Sequence, residues 1–199
     1  MDKKLTAKLF EKYDFLRPEQ SSSDIAKGEF IYDLMVFGIE TDNGWYELID
    51  ELCGKIQGYL EKHPDVRFKA SQVKEKWGGL RFYFTGGNKE LWKMVNEAEK
   101  KSYRICECCG AKGRLLTTSF KVIYENGKFF EVETDEGWCK TLCDKDAKKL
   151  KYFIGRVPIS KKMAKKILNK QKSVLESYSA YGDYSQKEVK EIERLLKLT

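Results

Sequence analysis

The sequence predicts an α+β fold, and three patterns in it lead there. Trp45, Leu48, Ile49, Leu52, Cys53, Ile56, Tyr59 and Leu60 recur at helical spacing. Two alternating runs, one broken at Gly78-Gly79 and one at Asn126-Gly127, predict two β-hairpins. Four cysteines fall in two clusters, Cys106-x-x-Cys109-Gly110 and Cys139-x-x-x-Cys143, which predicts that one ion pins distant parts of the chain together.

In chain order, residues 4–16 predict a short helix ending before Pro18, and Gln20-Ser21-Ser22-Ser23 a loop. Residues 30–39 are apolar without a clear period. The helix from Trp45 is bounded by Asn43-Gly44 before it and His63-Pro64 after it. Val66, Phe68 and Ala70 then alternate with Arg67 and Lys69, and Leu80, Phe82 and Phe84 alternate with Arg81 and Tyr83, which makes the first hairpin, with an irregular first strand. Asn88 can cap a helix running to about residue 104, with Leu91, Met94, Val95 and Ala98 inward. Residues 117–124 and 128–133 flank Asn126-Gly127 as the second hairpin, and a helix is expected over 143–153. Gly155 and Pro158 break the chain. Two helices follow, one from Ser160 to about Tyr178 and one opened by the capping box Ser185-Gln-Lys-Glu188, joined at Ala180-Tyr-Gly182-Asp as a helical hairpin. This organisation places an N-terminal extension at 1–43, an α+β domain at 44–157 and a C-terminal helical hairpin at 158–199.

Two thiols three positions apart can meet one ion from a tight knuckle, and a glycine after the second allows the left-handed backbone that such a knuckle needs. Cys106, Cys109 and Gly110 fit that description, and Cys108 falls outside the spacing. Cys143 supplies a third ligand. The fourth is Cys139, favoured by softness, or Asp146, favoured because a helix after Cys143 brings a residue three positions on to the same side. Four protein ligands close a tetrahedral site, so the expected ion is a structural Zn²⁺, with Arg104, Lys112, Lys140 and Lys145 near in sequence to balance its charge. Knuckle, hairpin and ligand-bearing helix, in that order, form a treble-clef-like module.

A disulfide framework is the other use of six cysteines, but the first ten residues have no apolar core of signal-peptide length. The expectation is therefore a cytoplasmic protein with reduced thiols and no membrane partner, in which Cys53, on an apolar helical face, is a buried free thiol. A net charge of +7 permits a nucleic-acid or acidic-protein partner. The excess is concentrated: between residues 151 and 172 there are eight cations and no acid. Met163, Ile167, Val174 and Tyr178 fall on one side of the helix from Ser160, and Lys161, Lys162, Lys165, Lys166 and Lys172 on the other, where they could follow phosphates or simply be solvated. On the first hairpin, Arg67, Lys69, Arg81 and Tyr83 share the polar face, a combination that binds single strands but also marks any half-buried sheet. Trp45 and Trp138, each following a glycine, are expected to pack in the core or the zinc module rather than to act as ligand platforms. Catalytic signals are weak: His63 is the sole histidine and lies in a turn without an accompanying nucleophile motif, while paired carboxylates such as Asp135 and Glu136 could hold Mg²⁺ for a nuclease but are ordinary in solvated loops.

The run from Phe37 to Cys53, containing Gly44-Trp45, followed by Gln72-Val-Lys-Glu-Lys-Trp-Gly-Gly-Leu-Arg81-Phe-Tyr83, the Cys106 to Gly110 knuckle and Gly137-Trp138-Cys-Lys-Thr-Leu-Cys143, resembles a family of small proteins of tailed phages and prophages. The resemblance spans about residues 31–146 and several motifs in fixed order. The family has no assigned activity, so the resemblance implies a phage origin and a zinc site, and no reaction. Its members usually carry His or Cys where this chain has Asp146, and residues 157–199 lie outside it. The combined expectation is a non-enzymatic, phage-type zinc-binding accessory protein that binds nucleic acid or a nucleoprotein through basic surfaces in the bacterial host's cytoplasm. The alternative is a phage-encoded inhibitor of a host antiviral defence protein, and a nuclease is the reading these residues favour least.

Overall fold

In a computed structural model the chain is a mixture of helix and sheet, described at all residues except 20–32, 135–136, 151, 153–154 and 179–183. The Gln20 to Ser23 loop, the Asp135-Glu136 pair and the 180–183 turn therefore lie outside the described residues. Two compact units emerge: the first comprises Met1–Leu116 and Cys139–Leu150, the second Thr117–Trp138 and Lys151–Thr199. This differs from boundaries at 43 and 157.

The described residues before position 44 are no extension, because Leu9, Leu16, Met35 and Ile39 are built into the first unit's core. Helix α1 (Lys3–Lys12) is capped by Asp2, whose carboxylate accepts from the Leu5 N–H. Leu9, Tyr13, Phe15, Leu16, Met35 and Ile39 are buried with Trp45, Ile49, Leu52, Ile56, Val73, Leu80, Phe82 and Leu91. Strand β1 (Ile39–Glu40) adds in parallel to β2 (Phe68–Lys76), which pairs antiparallel with β3 (Gly79–Gly86). Two amphipathic helices follow β1 and β3. Helix α2 (Tyr46–Leu60) buries Leu48, Ile49, Leu52, Cys53 and Ile56; α3 (Lys89–Ser102), capped by Asn88, buries Leu91, Val95 and Ala98. Strand β3 ends the sheet, and α3 covers its open side: the Leu80 and Phe82 N–H groups donate to Ser102 Oγ (2.9 Å) and Glu99 Oε1 (3.0 Å).

The expected irregularity of the first strand is a bulge between Ala70 and Gln72. It resets the alternation, so that Val73 faces inward and β2 continues to Lys76. The turn is Trp77-Gly78, one residue earlier than the glycine pair suggests, because both residues hold positive φ, 54° and 73°.

A two-stranded sheet of β4 (Arg114–Thr117) and β7 (Cys139–Leu142) leads into α4 (Asp144–Leu150). The Asn126-Gly127 hairpin, β5 (Phe120–Glu125) and β6 (Lys128–Glu133), is real but belongs to the second unit, where β8 (Val157–Ile159) joins it in the order β5-β6-β8. Pro158 therefore lies in an edge strand, where a missing N–H is tolerated, and breaks nothing. Helices α5 (Lys161–Tyr178) and α6 (Tyr184–Leu196) bury Ala164, Leu168, Ile192 and Leu195 against Val122 and Phe129. The C-terminal helices are thus one layer of an α+β unit whose sheet comes from two stretches of chain. Ser160 caps α5, its Oγ accepting from the Met163 N–H. No helix among the described residues is long and apolar enough to cross a membrane.

Candidate metal centre

The knuckle is shaped by backbone bonds before any metal is considered. The Gly110 N–H donates to the Cys106 carbonyl (2.8 Å) and the Cys106 N–H to the Ala111 carbonyl (2.7 Å), folding residues 106–111 into a closed loop. Gly110 has φ +77°, as a knuckle glycine must. The second half comes from the strand-to-helix junction. The Ala147 N–H donates to the Cys143 carbonyl, so Cys143 is the N-cap residue of α4 and Asp146 lies on its first turn.

Cys106, Cys109, Cys143 and Asp146 come together, with one ligand atom from each lying within 4.8 Å of every other. Asp146 Oδ2 is 3.3 Å from Cys106 Sγ and 3.3 Å from Cys143 Sγ, and the sulfurs of Cys109 and Cys143 are 3.7 Å apart. This group could hold a metal ion. Of the two candidates for the fourth position, Asp146 stands in the group and Cys139 does not. The reason is strand geometry: Cys139 opens β7, and four extended residues separate it from Cys143 by roughly 13 Å. A helical turn brings Asp146 back instead.

The four groups perturb one another. The neighbouring thiols Cys109, Cys106 and Cys143 donate to Asp146 and hold its carboxyl below the ordinary range. Reciprocally, contact with Asp146 pushes the Cys109 thiol up to about 12, and burial raises Cys106. So many acidic groups in so small a space ionise together only with a cation among them.

Cys108 points away, as its spacing predicts, and its thiol lies 3.3 Å from Asp42 Oδ2. Glu107, between the knuckle cysteines, is a site residue the sequence reading missed. It is 2% exposed, and its Oε1 accepts from the Asp42 N–H (3.0 Å). Lys140 reaches both acids, 2.7 Å from Asp42 Oδ2 and 3.3 Å from Glu107 Oε2. Burial raises the Glu107 carboxyl; the Asp42 carboxyl, which burial alone would also raise, is held low by Lys140. Lys140 therefore serves this internal pair rather than the ligand cluster. The available signal was a charged residue inside a knuckle, where a side chain has little route to solvent.

The knuckle rests on the residues that open α2. The Gly44 N–H donates to the Glu107 carbonyl (2.7 Å), and the buried Trp45 donates from Nε1 to the Ile105 carbonyl (2.8 Å). A Cβ on Gly44 would come within 2.3 Å of the Cys106 carbonyl oxygen, so only glycine permits the approach.

The basic residues have mixed fates. Lys161, Lys162, Lys165 and Lys166 are exposed on α5, and none has an ion-pair partner among the described residues. Lys172 is engaged with Glu193 at 2.7 Å. The inward seam of α5 is Ala164 and Leu168 rather than Met163, which is 47% exposed; the Val174 and Tyr178 side chains lie outside the described ones. Arg67 precedes β2 and is exposed. Lys69 donates to the Arg17 carbonyl, and Arg81 donates to Tyr103 Oη (3.0 Å) and the Leu80 carbonyl (2.7 Å). Tyr83 is 41% exposed. Trp45 packs inside as expected, but Trp138 is 82% exposed. Cys53 is buried, and burial raises its thiol far above the ordinary value. His63 stacks on Tyr59 in an exposed turn, with its Nδ1 2.8 Å from the Tyr59 carbonyl oxygen.

The chain matches no protein-family model, no curated protein and no solved structure.

Proposed function

We propose that Cys106, Cys109, Cys143 and Asp146 hold one structural zinc ion, and that the protein works by binding nucleic acid or a nucleoprotein rather than by catalysis. The spacing of the four ligand atoms carries the metal assignment. A zinc tetrahedron with Zn–S near 2.3 Å and Zn–O near 2.0 Å has S···S edges of about 3.8 Å and S···O edges of about 3.5 Å. Of the six edges here, Cys109–Cys143 is 3.7 Å, Cys106–Asp146 and Cys143–Asp146 are 3.3 Å, and all lie within 4.8 Å. With four protein ligands no position is left for water or substrate, so the ion would supply cross-linking and no Lewis acid. The knuckle, the β4–β7 pair and a helix carrying Cys143 and Asp146 at its start support the treble-clef-like description, with the second unit's hairpin as an insertion between β4 and β7.

The partner assignment rests on charge. The net charge is +7, and α5 presents Lys161, Lys162, Lys165 and Lys166 to solvent without acidic neighbours in sequence. Such lysines contact phosphates without reading bases. The resemblance to phage proteins adds a setting, an accessory factor acting in the bacterial host.

One preparation tests both parts. Elemental analysis should find about one zinc per chain in wild type, Cys139→Ser and Cys108→Ser, and much less in Asp146→Ala. Full zinc in Asp146→Ala and none in Cys139→Ser would overturn the ligand set. Changing the four α5 lysines to Gln should lower the log–log salt dependence of duplex binding by up to ~4. An unchanged slope would remove that helix from the contact.

A further inference from the structure

The tip of the β2–β3 hairpin is built in a way that folding alone does not explain. Both central residues of its two-residue turn, Trp77 and Gly78, have positive φ, the arrangement of a type I′ turn, for which Asn-Gly is the favoured pair. Trp77 at φ 54° is a bulky residue in the left-handed region, and it is 69% exposed. It gains no core packing in return for that conformation. The turn is nevertheless rigidly held. The Gly78 carbonyl accepts from Thr141 Oγ1 (2.6 Å), its N–H donates to Glu75 Oε1, and a Cβ on Gly78 would strike Leu115 at 2.2 Å. A strained, exposed aromatic on a fixed support is a platform.

A lysine lies against each exposed ring of this hairpin. Lys76 Nζ lies 4.5 Å from the Trp77 ring centroid and Lys74 Nζ 5.7 Å from that of Tyr83. Neither lysine has a carboxylate partner among the described residues. Arg81 is Lys74's cross-strand neighbour, and Tyr83 is opposite Gln72. Alternation after the bulge puts Gln72, Lys74, Lys76, Arg81 and Tyr83 on one face, with Trp77 roughly 17 Å along the hairpin from the level of Tyr83. Of the nearby acids, Glu75 accepts from the Gly78 N–H and Glu99 from the Phe82 N–H, while Glu40 accepts from Gln72 and stands opposite Lys74 in register, where its charge offsets part of that lysine's.

We infer that this face binds single-stranded nucleic acid, with unpaired bases stacking on Trp77 and Tyr83 and phosphates near Lys74 and Lys76. The inference rests on the nucleic-acid reading above and adds which strand form is bound and where. Stacking on these rings needs unpaired bases, which a duplex does not offer; Lys76 and Lys74 each lie over one face of the Trp77 and Tyr83 rings, so a base takes the opposite face while the lysines attract the backbone.

Trp77→Asn is the decisive variant, because it restores the preferred Asn-Gly turn and so keeps or raises thermal stability. Anisotropy with labelled oligo(dT) and a hairpin duplex of equal length should show wild type favouring the single strand. Trp77→Asn should bind oligo(dT) about 5- to 150-fold more weakly, with duplex affinity unchanged. Trp77→Phe should recover part of the loss, and Lys74→Gln with Lys76→Gln should lower the oligo(dT) salt slope by up to ~1.4. If folded Trp77→Asn holds oligo(dT) within twofold of wild type while duplex binding persists, the platform is refuted and the nucleic-acid reading stands. If wild type binds neither probe, both fall.

Discussion

Gly44→Ala should unlock the metal module from the first unit's core. An added Cβ would sit 2.3 Å from the Cys106 carbonyl oxygen, 2.4 Å from the Gly110 nitrogen and 2.5 Å from the Glu107 carbonyl oxygen. All three are backbone atoms of the knuckle, so no side-chain rotation relieves the clash, and the two segments must part by roughly 1 Å to reach ordinary van der Waals separation. Forced overpacking of this kind costs about 1–3 kcal/mol. Parting the segments also weakens the Gly44 to Glu107 hydrogen bond, worth about 1 kcal/mol net. A total of about 2–4 kcal/mol corresponds to a fall in Tm of roughly 4–16 °C for a chain of this size. Gly58→Ala is the matched control. A Cβ there meets nothing within 4 Å on α2, and the exchange should stabilise by about 0.5–1 kcal/mol through helix propensity. Calorimetry on zinc-loaded protein, with metal content measured on the same samples, provides the test. A Gly44→Ala protein melting within 1 °C of wild type with its full metal would refute the idea that the knuckle docks on this glycine.

Two further predictions concern charge. Lys140→Met leaves the buried Glu107 and its neighbour Asp42 without their shared cation, and should cost ~2–4 kcal/mol in denaturant unfolding; a loss under 0.5 kcal/mol would mean that Glu107 is protonated or hydrated without it. Asp50 is partly buried, which alone would raise its carboxyl, but hydrogen bonds from Lys12 and Tyr13 outweigh that and hold it low. A depressed folded value contributes stability above the unfolded carboxylate range, near pH 4, and loses it as pH falls through the folded value. The Tm difference between wild type and Asp50→Asn should therefore be full at pH 6 and shrink below about pH 4; a gap constant across that range would show that the carboxylate's charge contributes nothing.

Local signals were legible because they depend on nearest neighbours. The α2 stripe, the Asn88 cap, the Asn126-Gly127 turn and the knuckle glycine are each set by a few adjacent residues, and each stands where the sequence places it. Three members of the group that could hold a metal, Cys106, Cys109 and Cys143, were equally legible, the first two because thiols three apart can meet an ion without knowledge of the rest of the chain. The fourth was not. Choosing between Cys139 and Asp146 required knowing that Cys143 ends a strand and caps a helix, so that the chain runs straight on one side and coils back on the other.

What only the tertiary structure decided is how separated segments share a core. The sequence shows residues 1–43 as a helix and an apolar stretch, but nothing local says that Leu9, Leu16 and Met35 fill the space beside Ile49 and Val73. The Asn126-Gly127 hairpin has the same form whichever sheet it joins, and it is the burial of Val122 and Phe129 beneath Leu168 and Ile192 that assigns it to the second unit. The same holds for charge. Lys69, Arg81, Lys140 and Lys172 looked equivalent to Lys161 and Lys165 in sequence, and they differ because folding placed acceptors beside the first four. A cation's availability is a property of what surrounds it in three dimensions, and hydrophobic burial, which is non-directional and indifferent to sequence distance, sets those surroundings.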